Sequence, residues 1–121
     1  MNALVMVVDD DRDLRPLLEY TFENEGYEVE AFDGGESALE YLETGGRPAC
    51  IVLDLMMPGV DGLDVLERRK GSSFADIPVV VLTAWDAEDA VEKAFERGAD
   101  DYVTKPFSPN ELRVRVRRLI E

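Results

Sequence analysis

The chain has 121 residues, with 27 Asp or Glu against 13 Lys or Arg, and a formal net charge of -14. That charge repels phosphate backbones and anionic lipid, which excludes direct nucleic-acid binding by this domain and disfavours a membrane-surface role. Histidine is absent and Cys50 is the one cysteine, so histidine acid–base catalysis, Ser–His and Cys–His nucleophiles and a disulfide framework are excluded as well.

Short apolar runs alternate five times with longer amphipathic segments, the pattern of a βα-repeated, mostly parallel sheet. Ala3–Val8 reads as strand one and runs into Asp9, Asp10 and Asp11. It is short, has no basic lead and is followed by acids, so it is not a signal peptide. Nothing in the chain is long enough to span a bilayer, and the expected location is cytoplasmic. Leu14, Leu17, Leu18 and Phe22 then recur at helical spacing, with Gly26 as the stop. Tyr27–Phe32 reads as strand two, and Asp33 with Glu36 makes a capping-box-like start for a second helix running to about Glu43. Ala49–Asp54 is strand three, where Cys50 reads as a buried, inert thiol. Asp61 and Asp64 open helix three, which carries Leu63 and Leu66. Pro78–Thr83 is strand four, Asp86 and Asp89 open helix four, and Gly98 closes it. Asp101–Thr104 is a short strand five. Ser108, Pro109 and Glu111 start a last helix lined by Leu112, Val116, Leu119 and Ile120. No repeat or linker interrupts the series, and one domain over residues 1–121 with a 45% hydrophobic composition has enough apolar material for a core.

Strands one, three and four are near-continuous apolar runs, so they belong inside the sheet, buried on both faces. Strand two alternates polar and apolar, and strand five is short, which makes both of them edges. Right-handed crossovers then give the order 2-1-3-4-5. Ligands of such sheets bind beyond the carboxyl ends, at the switch point between strands one and three, where Asp9, Asp10 and Asp54 fall. Like charges held together repel and raise one another's pKa. A hard divalent cation or a lysine such as Lys105 must therefore sit among them.

Val7-Val8-Asp9-Asp10-Asp11, Leu53-Asp54-Leu55-Met56-Met57-Pro58-Gly59-Val60-Asp61-Gly62, Val81-Leu82-Thr83-Ala84 and Tyr102-Val103-Thr104-Lys105-Pro106-Phe107 occur in that order and at compatible spacing. On these strings the whole chain resembles a response-regulator receiver domain of two-component signalling, most like the receivers of OmpR/PhoB-type regulators. The resemblance implies an α/β, flavodoxin-like (βα)5 three-layer sandwich. It implies Asp54 as the phosphoacceptor, with Thr83 and Lys105 contacting the phosphoryl group. It implies Mg2+, for which Mn2+ can substitute, held by Asp9, Asp10, Asp54 and the backbone carbonyl of Met56. It implies a cis Lys105–Pro106 bond, a Thr83–Tyr102 switch, and a signal emerging on the face of helix four, strand five and helix five. The phosphoryl donor would be a sensor histidine kinase or phosphotransfer protein.

Asp100, Asp101, Glu111 and Arg115 match acids and arginines that pair across a homodimer in the OmpR/PhoB-type receivers, where a DNA-binding effector domain would follow Glu121. Asp11 and Asp61 read as helix-start charges rather than ligands. Met56 and Trp85, two residues after Asp54 and Thr83, are expected beside the site, where they would restrict water. The alternative reading is a Mg2+-dependent aspartate-nucleophile phosphohydrolase. It expects a second acid two residues after the nucleophile, and Met56 stands there. A flavodoxin-like cofactor binder is disfavoured because Asp9-Asp10-Asp11 would repel its phosphate. A receiver that has lost phosphate acceptance is disfavoured because Asp10, Asp54, Thr83 and Lys105 are all present.

Overall fold

Five parallel strands pair in the order β2-β1-β3-β4-β5, as the apolar patterning requires. The computed structural model describes residues 2–84 and 87–121. Trp85 and Asp86, expected beside the site and at the start of the fourth helix, lie outside the described residues. The strands are β1 (Leu4–Val8), β2 (Glu28–Phe32), β3 (Cys50–Asp54), β4 (Val79–Ala84) and β5 (Asp101–Lys105). The helices are α1 (Leu14–Glu23), α2 (Gly35–Glu43), α3 (Gly62–Arg69), α4 (Glu88–Glu96) and α5 (Pro109–Ile120). None of the described helices is long and apolar enough to cross a membrane.

The period of two along each strand sorts the core into two layers. Met6, Val8, Ile51, Leu53, Val79 and Val81 face α2, α3 and α4, meeting Leu39, Leu42, Val65, Leu66 and Ala94. Val5, Val7, Cys50, Val52, Val80, Leu82 and Val103 face α1 and α5, meeting Leu18, Phe22, Leu112 and Val116. β3 is buried along its whole length, as a strand covered by helices on both faces must be. β2 keeps Glu28 and Glu30 in solvent and closes one edge.

The helix starts divide between expected and unexpected caps. The Asp61 carboxylate accepts the Asp64 N–H at 3.0 Å and the Asp64 carboxylate accepts the Asp61 N–H at 3.1 Å, a complete capping box. Ser108 caps α5 with Pro109 in its first turn. The start of α2 corrects the sequence expectation: Gly34, not Asp33, is the cap, and no side chain caps it. Gly35 sits so close to the Val60 carbonyl that a Cβ would collide with it. Packing of α2 against the β3–α3 loop therefore sets where the helix begins.

A buried arginine at the opposite end of the sheet from the acid cluster ties three segments together. Arg69 donates from Nε (3.0 Å) and Nη2 (2.6 Å) to the Ile77 carbonyl and from Nη1 (3.1 Å) to the Gly98 carbonyl. Its guanidinium lies 3.6 Å from Asp100, which accepts the Val79 N–H at 2.8 Å. Replacing Arg69 with Ala leaves the buried Ile77 carbonyl without its donors, and such a loss costs about 1–3 kcal/mol. The expected result is a lower urea midpoint at unchanged slope; a midpoint equal to that of the parent chain would show that water replaces the arginine at no cost.

Candidate functional site

Adjacent strands deliver their last residues to one edge of the sheet. Asp9 follows β1, Asp54 ends β3 beside Leu82 of β4, Thr83 follows Leu82, and Lys105 ends β5 beside Ala84. Asp9 is fully buried and Asp54 is 3% exposed, while Asp10 is exposed. Lys105 Nζ lies 3.2 Å from Asp9 Oδ2 and 3.2 Å from Asp54 Oδ2, so one ammonium serves two carboxylates. The other oxygen of each acid is held by the main chain. Asp9 Oδ1 accepts the Asp11 N–H at 2.9 Å, and Asp54 Oδ1 accepts the Met56 N–H at 3.2 Å.

The electrostatics follow from this sharing. Burial, reinforced by the neighbouring Asp9 charge, pushes the Asp54 carboxyl up to about 6, although Lys105 and the Met56 N–H pull it down. Burial pulls the Lys105 ammonium down, but the charges of Asp54 and Asp9 and the hydrogen bonds to them outweigh it, so its pKa is raised. The lysine stays charged and the aspartate is ionised at neutral pH. Ligand oxygens of Asp9, Asp10 and Asp54 all lie within 4.8 Å of one another. Three carboxylates against one ammonium leave an excess of negative charge. An all-oxygen donor set with that excess fits a hard divalent cation.

Thr83 is fully buried, and its hydroxyl donates a long, 3.4 Å bond to the carbonyl of Ala84. Tyr102 is 39% exposed and packs edge-on against Phe95, ring centroids 5.8 Å apart at 88°. Between that ring and α4 lies a cleft of about 310 Å³ lined by Ala84, Val91 and Thr104 among others. The Lys105–Pro106 peptide is cis. Asp11 serves the helix start: its carboxylate accepts the N–H groups of Asp13 (2.9 Å) and Leu14 (3.2 Å), which hold its pKa down.

A family model, the response regulator receiver domain, matches residues 5–117. The chain belongs to this family. It is 42% identical over 120 residues to the alkaline phosphatase synthesis transcriptional regulatory protein PhoP of Bacillus subtilis, covering 99% of this chain and 49% of PhoP. It is 41% identical over 120 residues to the response regulator MprA of Mycobacterium tuberculosis, covering 99% of this chain and 51% of MprA. The chain thus spans about half the length of the curated relatives it matches. The crystal structure of a putative response regulator from Chloroflexus aurantiacus superposes with a TM-score of 0.93 at 33% identity, covering 99% of this chain and 98% of the other.

In this receiver domain the residues expected at a dimer face are engaged within one chain. Arg115 Nη1 donates to both Asp101 oxygens at 2.9 Å, and its Nε lies 3.4 Å from Glu111. Asp100 is taken up by Val79 and Arg69, as described above. Sequence reasoning missed two residues that shape the site. Gly62, at the start of α3, lies so close to the Asp54 carbonyl and Leu55 that a Cβ would collide, so only glycine lets α3 approach the end of β3. Arg15 donates from Nη1 to the Asp9 carbonyl at 3.0 Å. No local spacing announced it: Arg15 stands six residues after Asp9 and bonds to its main chain rather than to a carboxylate.

Proposed function

We propose that this receiver accepts a phosphoryl group onto Asp54 in a Mg2+-dependent transfer from a sensor histidine kinase or phosphotransfer protein. The observation that carries the reading is the buried Asp54 carboxylate at the end of β3, sharing Lys105 with Asp9 at 3.2 Å each. Asp9, Asp10, Asp54 and the Met56 carbonyl would hold the ion. Bound Mg2+ would neutralise charge on the transferring group. An Asp54 oxygen attacks phosphorus and forms an acyl phosphate; the bond from phosphorus to the donor atom breaks, and its electron pair leaves with the donor. Lys105 offers its ammonium to a phosphoryl oxygen as a point charge. Thr83 gives up its long bond to Ala84 at little cost and turns its hydroxyl to the phosphoryl group.

As Thr83 moves, the Tyr102 ring leaves Phe95 and turns inward, a two-state element biased by a local charge. The change alters the face of α4, β5 and α5. There Asp101, Glu111 and Arg115 would exchange their partners across a homodimer, while Asp100 stays with Val79 and Arg69, with a transcriptional output through an effector domain like the remainder of PhoP. The expected setting is the cytoplasm. The protein acts as a switch, not as an enzyme of external substrates, because Met56 supplies no acid to protonate a leaving group at the second position after Asp54.

The test is mass spectrometry of the intact chain after incubation with Mg2+ and a small acyl phosphate. Gain of one phosphoryl group, abolished by chelation, is the expected result; no gain with several donors would overturn the proposal. The Met56 side chain is 64% exposed and presents an apolar surface to the water that would attack the acyl phosphate. Met56→Asn is expected to shorten the phosphorylated lifetime about 5-fold, the equivalent of one hydrogen bond of ~1 kcal/mol to that water. An unchanged or longer lifetime would remove shielding as the role of Met56.

A further inference from the structure

We infer that Arg15 is a positioning residue for the metal site, acting through the backbone of Asp9; the inference rests on the Mg2+ reading above. Three hydrogen bonds close the segment that carries Asp9 and Asp10. Arg15 Nη1 donates to the Asp9 carbonyl at 3.0 Å, the Asp11 N–H donates to Asp9 Oδ1 at 2.9 Å, and the Arg15 N–H donates to the Asp11 carbonyl at 3.0 Å. The loop therefore folds back on the helix that follows it. That helix is anchored in the core, where Leu18 and Phe22 of α1 are fully buried. The guanidinium thus fixes the Asp9–Asp10 peptide to a well-anchored element, and the peptide sets where both carboxylates point.

The choice of partner distinguishes this from ordinary charge pairing. Arg15 follows Asp9, Asp10, Asp11 and Asp13 in the chain. Yet among the described residues no carboxylate lies in ion-pair contact with it, and its bond goes to a main-chain carbonyl. A cation near a metal site repels the incoming ion, so charge alone predicts that removing Arg15 tightens Mg2+ binding. Positioning predicts the reverse. Partners that orient metal ligands contribute roughly 10–100-fold to affinity, and Arg15, which acts through the main chain of Asp9 and not on its carboxylate, is expected at the lower end.

The experiment is calorimetric titration of Mg2+ into the parent chain and into Arg15→Gln, Arg15→Lys and Asp10→Asn. Arg15→Gln, whose amide donor is two bonds shorter in reach than Nη1, is expected to weaken Mg2+ binding about 10-fold at an unchanged melting temperature, with Arg15→Lys, whose ammonium reaches further, between it and the parent. Equal or tighter binding by Arg15→Gln overturns the proposal. A second measurement depends on no variant: in the metal-free parent chain, the Asp11 amide should be protected from hydrogen exchange, and an unprotected amide also overturns it. Asp10→Asn separates the two levels of the argument. If it binds Mg2+ as the parent does, the metal-site reading fails and this inference with it. If it loses binding while Arg15→Gln does not, only the positioning role fails.

Discussion

Asp54→Asn is expected to gain no phosphoryl mass under conditions in which the parent chain gains one group. Asparagine keeps the shape of the side chain, and its amide oxygen can still accept the Met56 N–H that now meets Asp54 Oδ1 at 3.2 Å. What it lacks is an anionic oxygen able to attack phosphorus, so the loss is complete rather than partial. Two other carboxylates lie in the cluster, but neither is equivalent. Asp9 has the same kinds of partner as Asp54, a backbone N–H and Lys105, but its side chain is fully buried, whereas 5% of the Asp54 side chain reaches solvent. Asp10 is exposed, with no strand to fix it against Lys105. Digestion and peptide mapping should therefore find the parent's phosphoryl group on Asp54. A phosphoryl group that persists in the variant, on Asp9 or Asp10, would show that the acceptor has been misassigned and that Asp54 serves the cation instead.

The frame of this domain was legible because burial leaves a direct trace in sequence. Cys50–Leu53 and Val79–Leu82 are continuous apolar runs because helices cover both of their faces, and Glu28 and Glu30 alternate with apolar residues because β2 is an edge. The order 2-1-3-4-5 and the convergence of Asp9, Asp54 and Lys105 follow from those two facts and the handedness of crossovers. Features that depend on distant backbone groups left no such trace. Asp33 and Glu36 have the spacing of a capping box, but close packing of Gly35 on Val60 moved the start of α2. Arg69 reads as one charged residue near a helix end, and nothing local announces that the Ile77 and Gly98 carbonyls wait for it. Asp100 matched a dimer-face pattern, while its carboxylate is held by Val79 of the neighbouring strand.

The second large effect concerns stability. Asp54 titrates at about 6 in the folded chain, against an ordinary value of 3.8. Between those values the folded chain keeps a proton that the unfolded chain has released. The stabilisation is fully present below pH 4, is lost as pH rises through 6, and changes no further above that. The difference of about two pH units corresponds to on the order of 3 kcal/mol. Metal-free Asp54→Asn is therefore expected to be more stable than the parent at pH 7.5, by about 1–3 kcal/mol, with the gap closing toward pH 4. Urea unfolding of both chains across that range in chelator measures the difference and cancels the titration of acids away from the cluster. A gap that is constant with pH, or that widens toward pH 4, would show that Lys105 fully compensates the buried charge. Adding Mg2+ should raise the stability of the parent more than that of the variant, because a ligand stabilises only the fold that binds it. The same desolvated carboxylate that weakens the resting fold is then what makes the site respond to a cation.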